Sequence, residues 1–229
     1  MGKSRIDDLT VVIQAGGESK RMGTSKALVT FLGAPLIMRG INRLYPICDE
    51  MLITTNEPEK MGFLDSYVEA GRLRLCTDGT GQRGALIGMR TALSNSKNPY
   101  VAMVACDMVF PSASLITYLH DVLVETGADI AVPRTKFGYE PFHAVYRKDT
   151  CLPVVEEMLE KGEIKATSWF NRVKTIEVGH DKIAEIHPRG AAFINVNTPD
   201  KLHEVEQRIL TEGMTSAADD ILVDSEKEE

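Results

Sequence analysis

The chain has 229 residues, of which 43% are hydrophobic and 26% are charged, which is typical of a globular protein with a substantial core. Its net charge is −7, but six acidic residues and one lysine lie from Asp219 onward, so the rest carries only −2. A body so close to neutral gives no electrostatic reason to expect nucleic-acid binding. The sequence has neither a signal-peptide core near its start nor the ~20 apolar residues that span a bilayer, so we expect a cytoplasmic protein without a membrane partner.

The predicted elements alternate between strands and helices along most of the chain. Apolar runs predict strands at 9–13, 51–54, 73–76, 101–105, 129–132, 142–146 and 173–178. Helical spacing predicts helices at 35–45, 85–94, 115–123 and 152–159, and a last one that is capped by Thr198 and opened by Pro199. This alternation indicates an α/β fold with a mostly parallel sheet. The small and acidic residues 213–229 predict a disordered tail.

The cysteines do not form a metal-binding pattern. They are widely separated along the chain and include no C-x-x-C pair, which argues against a zinc site. A chain of this length does not need disulfides for its stability, so we expect reduced thiols. The cysteines are Cys48, Cys76, Cys106 and Cys151.

The loop at 14–26 follows the first predicted strand and therefore begins at its carboxyl end. Open parallel sheets bind their ligands at this end of the strands. Two consecutive glycines, Gly16 and Gly17, allow the backbone to approach an anion and point N–H groups at it. Alone, such a pair is equally consistent with a tight turn. The loop also carries three cations, Lys20, Arg21 and Lys26. Glycines and cations together predict a triphosphate site in which Lys26 meets developing negative charge.

The pattern of this loop is not that of a Walker-type phosphate loop, because Gly23 is followed by Thr24 and Ser25 rather than by lysine. Its succession of alanine-glycine-glycine, serine, arginine-methionine-glycine and lysine resembles the signature of the nucleotidyltransferase superfamily. Within that superfamily the sequence is most similar to the molybdenum cofactor guanylyltransferases. The resemblance extends from about Thr10 to Leu210.

Asp107 follows the most continuous apolar run, at 101–105, and should lie at the same sheet edge as the glycine loop. A carboxylate here could bind Mg²⁺, because proteins usually hold this ion with one or two carboxylates plus substrate phosphates. It is equally consistent with a helix cap. The resembling family places its magnesium-binding aspartate in a cysteine-aspartate-x-proline-phenylalanine context, which favours the metal role. Val109 replaces that proline and Pro111 comes two positions late, which leaves the shape of the next loop open.

Residues 79–84 match G-x-G-x-x-G between a predicted strand and a predicted helix, and Asp107 lies about 20 residues further on, as in a dinucleotide-binding fingerprint. Against this interpretation, Asp78 occupies the strand end where the fingerprint turn begins. The basic loop at 14–26 would also have no role. In the resembling family this segment is a glycine-rich connection after an aspartate that helps to hold the guanine nucleotide, and Asp78 takes that position.

Three asparagines match positions of the resembling family. Asn56 corresponds to one that touches the nucleotide, while Asn195 and Asn197 lie in the C-terminal motif of the family. One amide of that motif would meet a phosphate or a metal-bound water, and the other would brace the loop. Turn and cap chemistry is the alternative for all three. Residues 140–146 occupy the place where the family often approaches its second substrate.

The resemblance implies a three-layer Rossmann-like nucleotidyltransferase domain at 1–212, with a mostly parallel twisted sheet flanked by helices. It implies transfer of GMP from GTP to the terminal phosphate of molybdopterin, with release of pyrophosphate. Lys26 would neutralise phosphates, Asp107 would hold Mg²⁺, and proteins that mature molybdoenzymes would be further partners. Gln14 departs from the usual leucine and could alter base selectivity. The implied nucleotide-binding residues are Gln14, Ala15, Gly16, Gly17, Lys26, Asn56, Asp78, Asp107, Asn195 and Asn197.

Three alternatives remain open from the sequence. The first is a sister transferase that uses CTP, or that loads a sugar or isoprenoid phosphate. The second is a dinucleotide-dependent oxidoreductase built on residues 79–84. The third is a nucleotide-binding regulator that has lost turnover. The scattered histidines fit the transferase, because a phosphate monoester is already ionised at neutral pH and needs no general base.

Overall fold

The computed structural model describes residues 5–16, 25–77, 84–187 and 191–212. Within these ranges the strands are β1 (Ile6–Gln14), β2 (Thr30–Phe31), β3 (Ala34–Pro35), β4 (Cys48–Thr54), β5 (Leu73–Cys76), β6 (Tyr100–Ala105), β7 (Ile130–Thr135), β8 (Gly138–Tyr139), β9 (His143–Arg147) and β10 (Thr175–Val178). The helices are α1 (Ile37–Leu44), α2 (Asp65–Glu69), α3 (Ala85–Asn95), α4 (Ala113–Thr126), α5 (Lys148–Glu160), α6 (His180–Ile186) and α7 (Pro199–Glu212).

The main sheet has the strand order β10-β7-β9-β6-β1-β4-β5, with the short β8 paired to β7. β1 runs parallel to both of its neighbours, β4 and β6, and β4–β5 and β7–β10 are also parallel pairs. β9 is antiparallel to β6 and β7. The sheet is therefore mixed but mostly parallel, as the alternation of strands and helices predicts.

The order of the strands creates a crevice beside β1. From β1 the chain adds β4 and β5 on one side, and it then returns to place β6 on the other side. Ligands of open α/β sheets bind where strand order reverses in this way, outside the carboxyl ends of the strands. Gln14 at the end of β1 is in register with Thr54 of β4 and Ala105 of β6, so the three strands end together.

The hydrophobic core lies on both faces of the sheet, which makes the domain three-layered. On β1, Leu9, Val11 and Ile13 belong to the cluster covered by α1, α4 and α6, whereas Val12 belongs to the cluster covered by α3 and α5. Strands buried on both faces need near-continuous apolar sequence, and 101–105 shows it. The predicted three-layer fold is confirmed.

A third cluster packs the C-terminal helix α7 against the small β2–β3 hairpin and the chain that follows β6. This packing brings the segment before α7, which contains Asn195 and Asn197, to the carboxyl end of β6. The cluster contains Phe31, Leu36, Val109, Phe110, Ala191, Val196, Leu202, Val205 and Ile209.

The structure refines several predicted elements. Pro35 does not open the first helix, because it pairs with Thr30 in the β2–β3 hairpin and α1 begins at Ile37. The predicted cap of the last helix is confirmed, since the Thr198 hydroxyl accepts from the Lys201 N–H at 3.2 Å. None of the described helices is both long and apolar enough to cross a bilayer. The predicted tail, 213–229, lies outside the described residues.

Candidate active site

A cavity of about 560 Å³ opens at the carboxyl ends of β1 and β6. Of the predicted site residues, Gln14, Ala15, Gly16, Lys26, Asp107 and Asn195 line it. Gly17 and Asp78 lie outside the described residues. The cavity is also lined by Glu140, Pro141 and Phe142, from the segment 140–146 that the resemblance places near the second substrate, and by Gly84, the last residue of the G-x-G-x-x-G match. The sequence did not single out the remaining lining residues as site residues, and these are Thr54, Ala85, Gly88, Ala105, Cys106 and Met108.

The floor of the cavity is the end of β1. The Gln14 carbonyl accepts from the Cys106 N–H at 3.1 Å, and the Ala15 N–H donates to the Thr54 carbonyl at 2.8 Å. These bonds continue the sheet for one residue beyond its strands, which fixes the backbone that leads into the glycine loop. The Ala15 N–H is therefore not free to donate to a ligand.

The side chain of Gln14 is accommodated by a glycine on α3. A β-carbon at Gly88 would lie 2.9 Å from Gln14 Oε1, closer than real β-carbons approach their neighbours. The amide of Gln14 also contacts Met103 Sδ at 3.8 Å. A polar side chain in place of the family's leucine therefore fits here because residue 88 has no side chain.

Asn56 braces the start of the glycine loop. Its Nδ2 donates to the Gly16 carbonyl at 2.8 Å, although the two residues belong to different strand–loop units. Asn56 is exposed, and it does not line the cavity itself. Its contact with a nucleotide stays a prediction, whereas its contact with the loop is observed.

Lys26, Asp107 and Asn197 meet at the cavity mouth from three distant parts of the sequence. Lys26 Nζ lies 2.9 Å from Asp107 Oδ2, and it also donates to Asn197 Oδ1. The side chains of Lys26 and Asp107 are only 22% and 15% exposed. A partly buried pair of this kind is screened less by water and salt than a surface pair. The cation is thus held beside the carboxylate at the end of β6.

The segment after Asp107 pairs with the segment that carries Asn195. Met108 and Asn195 form an antiparallel bridge, the Val196 N–H donates to the Asp107 carbonyl at 3.0 Å, and the Val109 N–H donates to the Ile194 carbonyl at 3.1 Å. Asn195 Oδ1 is buried and has no hydrogen-bond partner among the described residues. An acceptor left unpaired in this way has a free energy cost unless a bound group satisfies it.

Two arginines of α1 hold the loop in which Val109 replaces the family's proline. Arg39 Nε donates to the Val109 carbonyl at 3.4 Å, and the buried Arg43 donates from Nε to the Pro111 carbonyl at 2.8 Å. Both guanidinium groups lie within 6 Å of the centre of the Phe110 ring, the range of cation–π attraction. Side chains therefore fix a loop that the proline would otherwise have stiffened.

His143 joins this loop to β9. Its Nε2 accepts from the Ser112 N–H at 2.9 Å, and Ser112 caps α4 by accepting from the Leu115 N–H at 3.2 Å. His143 is fully buried, and burial lowers its pKa to about 4. The imidazole is therefore neutral at physiological pH and serves as a structural acceptor.

This buried histidine predicts a loss of stability in mild acid. An unfolded histidine takes up its proton near pH 6.5, whereas folded His143 does so only near pH 4, so the unfolded state binds more protons between these values. We expect His143 to lower the free energy of unfolding by ~3 kcal/mol as the pH falls through this window. His143→Gln, which retains an acceptor, should show a flatter decline in urea unfolding than wild type.

The matched control is His203→Gln, since His203 is exposed on α7. Its decline with pH should parallel that of wild type. If His143→Gln and wild type lose the same free energy between pH 6.5 and 4, the assignment of a neutral buried imidazole is wrong.

No thiolate nucleophile is available beside Asp107. Burial raises the pKa of the Cys106 thiol to about 12, and the neighbouring Asp107 carboxylate raises it further. Cys106 therefore stays protonated and neutral at physiological pH. Among the residues that the structure describes, the cavity offers one amine, carboxylates, amides and backbone groups, which suit charge stabilisation and alignment rather than covalent catalysis.

Comparisons with known proteins show the family to which the chain belongs. The family model of the MobA-like NTP transferase domain matches residues 11–176. A probable molybdenum cofactor guanylyltransferase from Natronomonas pharaonis is 32% identical, and the match covers 89% of this chain and all of that protein. A molybdenum cofactor guanylyltransferase from Desulfosudis oleivorans is 31% identical, and the match covers 89% of this chain and 97% of that protein.

A solved structure shows the same fold. The molybdopterin-guanine dinucleotide biosynthesis protein A from Archaeoglobus fulgidus superposes with a TM-score of 0.74 at 22% identity, covering 86% of this chain and 97% of that one. By its fold and its sequence, the protein is a nucleotidyltransferase. It belongs to the MobA-like NTP transferase family.

Proposed function

We propose that this enzyme transfers GMP from GTP to the terminal phosphate of molybdopterin, or of its molybdenum-bound form, and so makes the guanine dinucleotide form of the molybdenum cofactor. A phosphate oxygen of the acceptor attacks the α-phosphorus of GTP, the bond from that phosphorus to the bridging oxygen breaks, and pyrophosphate leaves. The names of the relatives support the substrates. The observation that carries the proposal is the meeting of Lys26, Asp107 and Asn197 at the mouth of the cavity.

The residues of the glycine loop receive the triphosphate in this proposal. Gly16 and Gly17 allow close approach of the phosphates, and Lys26 neutralises them. Lys26 Nζ then exchanges part of its present contact with Asp107 and Asn197 for phosphate oxygens. Because an ammonium group stabilises the same oxygens before and during transfer, it assists binding and reaction alike.

The residues at the end of β6 suit a Mg²⁺ ion that takes most of its ligands from the substrate and from water. Proteins usually hold Mg²⁺ through one or two carboxylates plus phosphates and waters. Among the described residues no group of three or more His, Cys, Asp or Glu side chains gathers to form a complete cage. Asp107 would supply the carboxylate, and the unpaired Asn195 Oδ1 would accept from a metal-bound water. The ion would supply positive charge that stabilises the phosphates during transfer.

The dinucleotide-dependent alternative is disfavoured by the position of its motif in the sheet. Residues 79–84 follow β5, the strand at the edge of the sheet, whereas the crevice lies between β1 and β6, although Gly84, the last residue of the motif, lines the cavity. A dinucleotide fingerprint is found in the first turn after a strand at the crevice. The order of the strands therefore favours the basic loop at 14–26 as the phosphate site.

The experiment that tests the proposal compares GTP, CTP and ATP in pyrophosphate release, each with molybdopterin and Mg²⁺. GTP should give the highest kcat/KM. A preference for CTP would move the enzyme to the sister transferase class. Binding of GTP without release would favour a regulator, and binding of NAD(P) in place of GTP would favour the oxidoreductase.

A further inference from the structure

One wall of the cavity carries a carboxylate to which the transfer step described above gives no role, and it belongs to the segment 140–146 that the resemblance places near the second substrate. Glu140 lies on the short connection between β8 and β9 and lines the cavity together with Pro141 and Phe142. The backbone there is held on both sides, because the Glu140 N–H donates to the Pro133 carbonyl at 3.0 Å and the Glu140 carbonyl accepts from the His143 N–H at 3.1 Å. The side chain is therefore presented from a fixed turn.

The carboxylate of Glu140 is only partly satisfied by the protein. Thr135 Oγ1 donates to Glu140 Oε1 at 3.1 Å, and no described cation forms an ion pair with this carboxylate. Burial raises its pKa above the ordinary value. A half-buried carboxylate without a cation is costly to keep, and in a cavity such groups commonly serve a ligand.

The position of Glu140 in the sheet separates it from the phosphate loop. Gly16, Lys26 and Asn56 belong to the half of the site built on β1 and β4, whereas Glu140 belongs to the half built on β9 and β7. Asp107 ends β6 between the two halves. A nucleotide whose phosphates lie along the loop brings its α-phosphate towards Asp107, so the acceptor must enter from the side of Glu140.

Building on the proposed function, we propose that the Glu140 carboxylate binds the 2-amino-4-oxopyrimidine edge of the acceptor's pterin ring and thereby selects the second substrate. That edge presents a ring N–H and an exocyclic amino group side by side, two donors that match the two oxygens of one carboxylate. Phe142 and Pro141 offer apolar surface beside it for a flat ring. Guanine presents the same pair of donors, but its phosphates place it on the other half of the site.

Binding and kinetics of Glu140→Gln test this assignment. The amide opposes one of the ligand's donors with a donor of its own, so we expect the Kd and KM for molybdopterin to rise at least ~10-fold. The Kd for GTP should stay within about 2-fold of wild type, because the nucleotide contacts other residues. Equilibrium binding of molybdopterin, followed by quenching of Trp169 or pterin fluorescence without GTP, reads the effect without turnover.

The pH dependence supplies a readout that a structural role would not change. In wild type the Kd for molybdopterin should rise as the pH falls, because Glu140 is then protonated. Its raised pKa moves this protonation to a higher pH than that of an ordinary glutamate. In Glu140→Gln the Kd should be weak and nearly independent of pH over the same range. Glu125→Gln, with Glu125 exposed near the far end of α4, is the matched control and should behave as wild type.

The outcomes separate this assignment from the proposed function. If Glu140→Gln weakens GTP instead of molybdopterin, or weakens neither, the assignment of Glu140 to the acceptor is wrong even where wild type releases pyrophosphate. If wild type binds molybdopterin through Glu140 but releases no pyrophosphate from GTP, the assignment stands and the transfer reaction fails.

Discussion

Asp107→Asn is expected to lower the turnover of GMP transfer by at least ~100-fold, the usual effect of removing one central electrostatic group from an active site. The substitution keeps the size of the side chain but removes the charge that faces Lys26 and that we assign to Mg²⁺. The fold should survive, because the bond that ties this segment to Val196 comes from the backbone carbonyl of Asp107. Steady-state pyrophosphate release across a Mg²⁺ titration measures the effect.

Asp149→Asn is the matched control for this variant. Asp149 is exposed at the start of α5, directly after β9. The end of β9 pairs with the start of β6, so Asp149 lies at the opposite ends of these strands from the cavity. Its turnover should equal that of wild type. Near-normal turnover of Asp107→Asn at limiting Mg²⁺ would contradict the metal assignment and return Asp107 to a structural role.

Lys26→Ala is expected to weaken GTP binding and turnover together, with a loss in kcat/KM for GTP of roughly 100-fold. Its ammonium group is the described cation at the cavity mouth, and it is held in place by Asp107 and Asn197 before any substrate arrives. Direct GTP binding and single-turnover transfer separate the two losses.

Two lysines provide comparisons for Lys26→Ala. Lys60→Ala removes an exposed cation whose contact is with Glu57, and it should leave both GTP binding and transfer unchanged. Lys20→Ala should have a smaller effect than Lys26→Ala, since the family pattern does not fix a cation at position 20. If Lys20→Ala proves the more damaging of the two in pyrophosphate release, our placement of the triphosphate along the loop is wrong.

The layers of the fold could be predicted because strands that are buried on both faces of a sheet have near-continuous apolar sequences. The apolar runs at 9–13 and 101–105 and the helical spacing of α1 and α4 all correspond to observed elements. The direction of β9 could not be predicted in the same way. Parallel and antiparallel strands show the same apolar residues when they are buried, so the direction follows only from the register of the pairing, in which Tyr100 opposes Arg147 and Val104 opposes His143.

The site was predictable only in part. The glycine loop and Asp107 follow apolar strands, so their common sheet edge could be inferred from chain order alone. The contact between Lys26 and Asn197 spans 171 residues, and local sequence contains no information about it. The resemblance to the guanylyltransferases supplied Asn197 as a candidate, whereas its residue type alone left turn and cap chemistry as an alternative.

The contacts that hold the loop after Asp107 could not be predicted from the sequence. Arg43 and His143 contact backbone groups of that loop, and a backbone partner leaves no complementary residue type to recognise in sequence. Val109 was noted as a departure from the family pattern. The side chains that compensate for it come from α1 and β9, which lie far from it in sequence.

The measurement that tests the central proposal most directly is the identity and stoichiometry of the products from GTP, molybdopterin and Mg²⁺. Mass spectrometry of the pterin product, with pyrophosphate measured in parallel, should show the acceptor increased by one GMP unit and one pyrophosphate released for each molecule formed. Asp107→Asn should slow the appearance of both products by the same factor. An acceptor that remains unmodified while wild-type protein binds GTP, or a pterin product that carries CMP, would contradict the assignment of this chain as a guanylyltransferase.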